Sequence, residues 1–190
     1  MTIQELFIRS NEELRRVVDQ ISDKQWSINM PEGLTSKPAT LLESVRYHTY
    51  DDAWVPDVLA GKTKEEVGDK YEYLLAIDEI LIKYDMFNQF AIDSVRGFDD
   101  LERKTHLSYG EFSAHNYLQH IVSYRAFRSY DIAKLIGVDT AMADDLVQGL
   151  LDEFVPVIDR YRQMGVFPPA LEVADDANAQ TRLLALVGRE

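Results

Sequence analysis

The chain has 190 residues, 46% of them hydrophobic, which is enough for one well-buried core and few for two domains. Its 20 Lys and Arg against 33 Asp and Glu leave a net charge of -13, a surface that repels phosphate backbones and anionic membranes and so argues against nucleic acid or membrane partners. With no cysteine, disulfides, thiolate metal sites and a thiol nucleophile are excluded, while the polar start Met1-Thr2-Ile3-Gln4-Glu5 and the lack of long apolar runs point to a cytoplasmic protein.

The predicted elements are helical nearly throughout. Thr2 and Glu5 have capping-box spacing, and Ile3, Leu6, Phe7, Leu14, Val17, Val18 and Ile21 follow at helical intervals. A connection containing Pro31, Gly33 and Pro38 comes next, with Trp26 packed beneath it. The second helix runs over about 39–60 and ends at Gly61. A third, about 70–96, carries Leu74, Ile77, Leu81, Tyr84, Asn88, Ala91 and Val95 at spacings of three and four.

The polar stretch after Gly97 ends in Ser108-Tyr109-Gly110-Glu111, a second capping-box candidate, and opens a fourth helix over about 112–136 that stops at Gly137. The fifth, about 140–164, contains Pro156 and should be interrupted there. Beyond Pro168 and Pro169 lie an acidic loop and a short apolar helix over about 177–187. Strand alternation and internal repeats are absent from the pattern. The prediction is an all-α single domain over residues 1–190, an antiparallel four-helix bundle with short additional C-terminal helices.

Within the second helix, Leu41, Val45, His48, Asp52, Val55 and Leu59 follow one another at steps of 4, 3, 4, 3 and 4, the core seam of a bundle helix. Two of these six are titratable and lie one turn apart. Burying them costs several kcal/mol unless something pairs with them. The seam therefore asks for a partner, a water-filled pocket or a metal. Imidazole and carboxylate both ligate divalent cations, and Asp52 could equally accept from His48 or pair with a core arginine.

The fourth helix offers the other half. Tyr117, His120, Tyr124, Arg128 and Asp131 form one stripe. Beside it Leu118, Ile121, Val122, Ile132 and Ile136 form an aliphatic stripe with Arg125 in its middle. A guanidinium there must find an acceptor, either Asp52 or an anionic ligand. His115 and His106 read as surface residues, as do the turns at Asp99-Asp100 and Asp175-Asp176. There is no Gly-rich phosphate loop, no HExxH pair and no nucleophile elbow, and Ser44 and Ser129 lack a well-placed base.

A set of ordered motifs resembles a known family. It comprises Ala39-Thr40-Leu41-Leu42 leading to His48, then Trp54 and the Leu59-Ala60-Gly61 helix end. It continues with Tyr117-Leu118, with Tyr130-Asp131-Ile132-Ala133 before Gly137, and with the terminal Gln180-Thr181-Arg182-Leu183-Leu184-Ala185-Leu186-Val187-Gly188-Arg189. Over most of its length the chain resembles the DinB-like superfamily, in the actinobacterial branch similar to the N-terminal domain of mycothiol-dependent maleylpyruvate isomerase.

The resemblance implies a four-helix bundle holding one divalent ion, zinc or nickel, through a histidine of the second helix and two ligands four residues apart on a later one. It also implies isomerase or transferase chemistry with a low-molecular-weight thiol such as mycothiol, bacillithiol or glutathione. His48 matches the first ligand position. The later pair, glutamate and histidine in the mycothiol branch, falls on Tyr124 and Arg128 when counted back from Asp131, and neither residue ligates a cation. A substitute ligand set would draw on His48, Asp52 and His120.

The leading expectation is a pocket lined by His48, Asp52, Tyr124 and Arg128 that binds a small anionic molecule, with Arg128 in the place of the cation. One alternative keeps a metal on His48 to activate a thiol or water. The other is a non-catalytic, homodimerising bundle in which His48, Asp52 and Arg128 form a satisfied network.

Overall fold

Three helices begin on the same device: Thr2, Thr40 and Thr63 each accept from the backbone N–H three residues on, while Glu5, Glu43 and Glu66 reach back to the cap's own N–H. The computed structural model describes residues 1–35, 37 and 39–190; Pro38, read above as part of the first connection, lies outside the described residues. The helices are α1 (Ile3–Val18), α2 (Leu41–Leu59), α3 (Lys64–Val67), α4 (Ile80–Arg96), α5 (Ala114–Ile136), α6 (Asp144–Phe154), α7 (Ile158–Gln163) and α8 (Ala179–Leu186). Helix accounts for 58% of the structure. None of these helices is long and apolar enough to cross a membrane.

Two expectations are corrected. The stretch before α5 is not all loop: β1 (Lys104–Leu107) and β2 (Gly110–Ser113) form an antiparallel hairpin with Thr105 opposite Phe112. Four-residue strands whose one buried position is a threonine leave no apolar alternation to read. In consequence Ser108 caps nothing, and Ser113 caps α5 by accepting from the Asn116 N–H. The helix expected from residue 70 starts at Ile80 instead. A short 3-10 turn, Glu72–Ala76, precedes it, and Ile77 is extended, its carbonyl taken by the Arg46 guanidinium at 2.7 and 2.9 Å. Pro156 interrupts the fifth predicted helix as expected, between α6 and α7.

Among the long helices, α1 packs against α5 and α4, and α2 packs against α4. The α2–α5 edge lacks such close packing, and there the hairpin lies against both helices. One core cluster gathers Phe7, Leu118, Val122, Phe127, Leu150 and Phe154. A second joins Leu14, Val18, Leu41, Val45, Tyr84 and Ile132, with Trp26 packed on it as predicted. The thinly packed α2–α5 edge is where the sequence placed its polar residues.

Candidate functional site

All six seam residues of α2 are buried, His48 and Asp52 completely. The partner they need is Arg125, which is also fully buried. Its Nη2 donates to Asp52 Oδ1 at 2.8 Å and to the His48 carbonyl at 3.1 Å, and its Nη1 donates to His48 Nδ1. On the far side of Asp52, Asn88 of α4 donates to Oδ2 at 3.2 Å and to Asn11 of α1 at 3.0 Å. Asn11 in turn donates to the Phe7 carbonyl at 3.0 Å. One polar layer thus touches all four long helices.

The electrostatics follow from this layer. Burial works against the Arg125 charge, but the Asp52 and Asp51 carboxylates more than offset it and hold its pKa above the ordinary value. Burial, with Arg125 and Arg128 nearby, holds His48 well below the usual imidazole value, so it is neutral. A guanidinium only donates, so Nδ1 accepts and the imidazole proton is assigned to Nε2, which is buried without a partner among the described residues.

That tautomer bears on the metal. An ion at Nε2 would find a proton where it needs a lone pair, and Nδ1 is taken. It would also face two guanidinium groups, since Arg125 and Arg128 lie 5.7 and 5.1 Å from the centre of the Tyr124 ring, itself 4.9 Å from the His48 ring. Among the described residues, no three His, Asp or Glu side chains converge in an arrangement that could hold a metal ion. These residues do not fit the zinc or nickel ion that the resemblance implies.

Of the four predicted pocket residues, Tyr124 and Arg128 line a cavity of about 400 Å³, together with Leu34, His120, Phe127, Phe167 and Arg189 among others. His48 packs against the Tyr124 ring, and neither it nor Asp52, both fully buried, lines the cavity. Arg128 is 4% exposed and donates through Nη2 to the Leu34 carbonyl, while its Nε and Nη1 are buried with no partner among the described residues. Arg189, the other cation of that wall, is already held by Asp131 through two bonds of 2.9 Å.

Of the remaining predicted residues, His120 lines that same cavity, while His106 and His115 fall elsewhere. His120 pairs with the Tyr109 hydroxyl at 3.2 Å, His106 lies 3.1 Å from Glu111, and half-exposed His115 lies 3.6 Å from Glu153. Sequence reasoning passed over Asn11, which continues the α1 seam Phe7, Asn11, Leu14, Val18, and gave Asn88 no partner although it stood in its own seam. It also passed over Asp51, whose signal was a stripe of Tyr47, Asp51, Trp54 and Val58 beside the seam. No family model, curated protein or solved structure matches the chain.

Proposed function

We propose that the chain is a DinB-like antiparallel four-helix bundle whose cavity beside Arg128 binds a small molecule through a carboxylate, a guanidinium standing where that superfamily holds its ion. The observation that supports this is the buried, half-bonded Arg128. A guanidinium cannot shed its proton, and two of its nitrogens lack acceptors among the described residues in a wall whose other arginine is already neutralised. A carboxylate offers two acceptor oxygens in the matching fork geometry. Tyr124 and Phe127 give the rest of a small ligand an apolar surface, and a volume of about 400 Å³ suits one.

Arg128→Met tests the reading. Calorimetric titration with a panel of aliphatic and aromatic carboxylates should find ligands that the wild-type chain binds and the variant binds about tenfold or more weakly, the range of a charged hydrogen bond. The ligand-free variant should be at least as stable as wild type, because an unsatisfied charge is gone. Equal binding by both proteins would overturn the proposal. A stoichiometric transition metal in protein purified without an affinity tag would restore the metal-dependent thiol transferase or isomerase reading.

A second reading, a non-catalytic bundle, is favoured by the Arg125–Asp52–Asn88–Asn11 layer, which needs no ligand to be satisfied at Asp52. The two separate at Arg128, which takes no part in that layer.

A further inference from the structure

We propose that the cleft between α2 and α5 is a binding site for a small organic ammonium ion, with Asp51 as the counter-charge and a set of aromatic rings as the walls. The cleft encloses about 470 Å³. From α2 come Tyr47, Asp51 and Trp54, at steps of four and three; from α5 come Tyr117 and Tyr124; the hairpin tip adds Tyr109. Each helix contributes residues one or two turns apart, so the rings of both project into one space. It is a different cavity from that of Arg128. Tyr109, His120 and Tyr124 border both, but Arg128 lines only the first and Asp51 only the second, so either proposal can fail without the other.

Charge counting singles out a cation. Arg125 stands between two carboxylates and is committed to Asp52 at 2.8 Å, with Asp51 at 3.9 Å. His48 is neutral. The group therefore carries one surplus negative charge when Asp51 is ionised, and Asp51, 26% exposed, is the member open to the cleft. Among the described residues no side chain or backbone N–H donates to it. Lys64, at the rim, is exposed and makes no ion pair with it. An ammonium ion would meet a carboxylate lacking a donor and several ring faces, which attract cations through their quadrupoles. A carboxylate-bearing ligand would meet Asp51 itself and be repelled.

The state of Asp51 adds a consequence. Burial pushes its carboxyl up to about 7, Arg125 opposing and Asp52 adding to the rise. The other titratable groups that line the cleft are Lys64, His106, His120 and the tyrosines. An arriving cation displaces a proton from Asp51, so binding tightens as pH rises from about 6 to 8.

The test uses choline and its uncharged isostere 3,3-dimethylbutan-1-ol as probes. Binding is read by N-methyl or tert-butyl NMR line-broadening, and by Trp54 emission in a Trp26→Phe chain. Choline should bind and the isostere should not. Asp51→Asn, which removes no hydrogen bond, should weaken choline about tenfold or more, whereas the surface control Asp176→Asn should leave it unchanged. Trp54→Leu, which keeps the charge and removes a wall, should also weaken it. Titrations in two buffers of different ionisation enthalpy should show proton release near neutral pH. The proposal is overturned if choline does not bind, if the isostere binds as well as choline, or if Asp51→Asn and Asp176→Asn behave alike.

Discussion

Replacing Arg125 with methionine removes the one cation that holds the polar layer together. The side chain is fully buried, and its loss leaves Asp52 without its charged partner and His48 Nδ1 without a donor. Breaking a buried pair from one side costs about 3–5 kcal/mol. Against a total stability of roughly 5–15 kcal/mol this is a large fraction. For a chain of this length it corresponds to a fall in Tm of roughly 6–20 °C. Urea unfolding followed by far-ultraviolet circular dichroism should show the midpoint falling with an unchanged slope. The deficit should shrink in acid, where the orphaned carboxylate can take up a proton. The double variant Arg125→Met, Asp52→Leu should recover most of the loss, because an apolar pair of similar volume leaves no buried charge behind. A single-variant loss below about 1 kcal/mol, the range of an exposed pair, would refute the layer as described.

Other outcomes follow from the same geometry. His48 stays neutral in the folded chain well below its ordinary value, whereas in the unfolded chain it takes a proton near pH 6.5; uptake favours unfolding, so stability falls as pH drops through that region. Asp51 acts oppositely between about pH 4 and 7, and depressed His120 acts with His48, so the test compares melting curves of Asp51→Asn with and without His48→Asn. The second substitution should flatten much of the acid slope. Gly188→Ala should cost about 1–3 kcal/mol in a thermal melt, since Gly188 has φ of +71° and a Cβ there would run into the Pro168 ring. Phe127→Ala, which removes a ring in edge contact with Phe154 and Phe167 at 6.1 and 5.6 Å, should cost about 3–5 kcal/mol by chemical denaturation.

Much of this was legible because spacing and burial are tied in a helix. The steps of four and three placed His48 and Asp52 inside, and Arg125, alone among aliphatics, was bound to need an acceptor. Asp52, one of the two acceptors it left open, is the one it meets. What spacing does not carry is depth and facing. It put His48 and Asp52 on a core face but could not say that Tyr124 would pack on the His48 ring, or that both residues would be sealed off from the cavity rather than line it. The same limit left Asn88 in its seam without a partner, since only tertiary packing brings Asn11 to it. Asp51 escaped notice because an acidic residue between Tyr47 and Trp54 on a helix face reads as surface until the hairpin encloses it. The hairpin itself was invisible: its pairing is satisfied by backbone, and the Thr105 hydroxyl turns inward to the Phe112 carbonyl at 3.0 Å.

The unequal packing of the four long helices gives the molecule a mechanical grain. With α1 joined to α5, α2 joined to α4, and α1 laid against α4, the protein is two leaves bound along one spine. Across the open margin the leaves are latched by the Arg125 guanidinium, by Arg128 reaching the Leu34 carbonyl and by the hairpin strapped over one end. Thermal breathing should be anisotropic, with α2 and α5 parting more readily than any other pair. The aromatic cleft lies along that margin, lined by both α2 and α5, so a molecule seated in it would work as a clasp. Its signature in hydrogen exchange would be slower opening of the amides of α2 and α5, while the spine between α1 and α4 changes little.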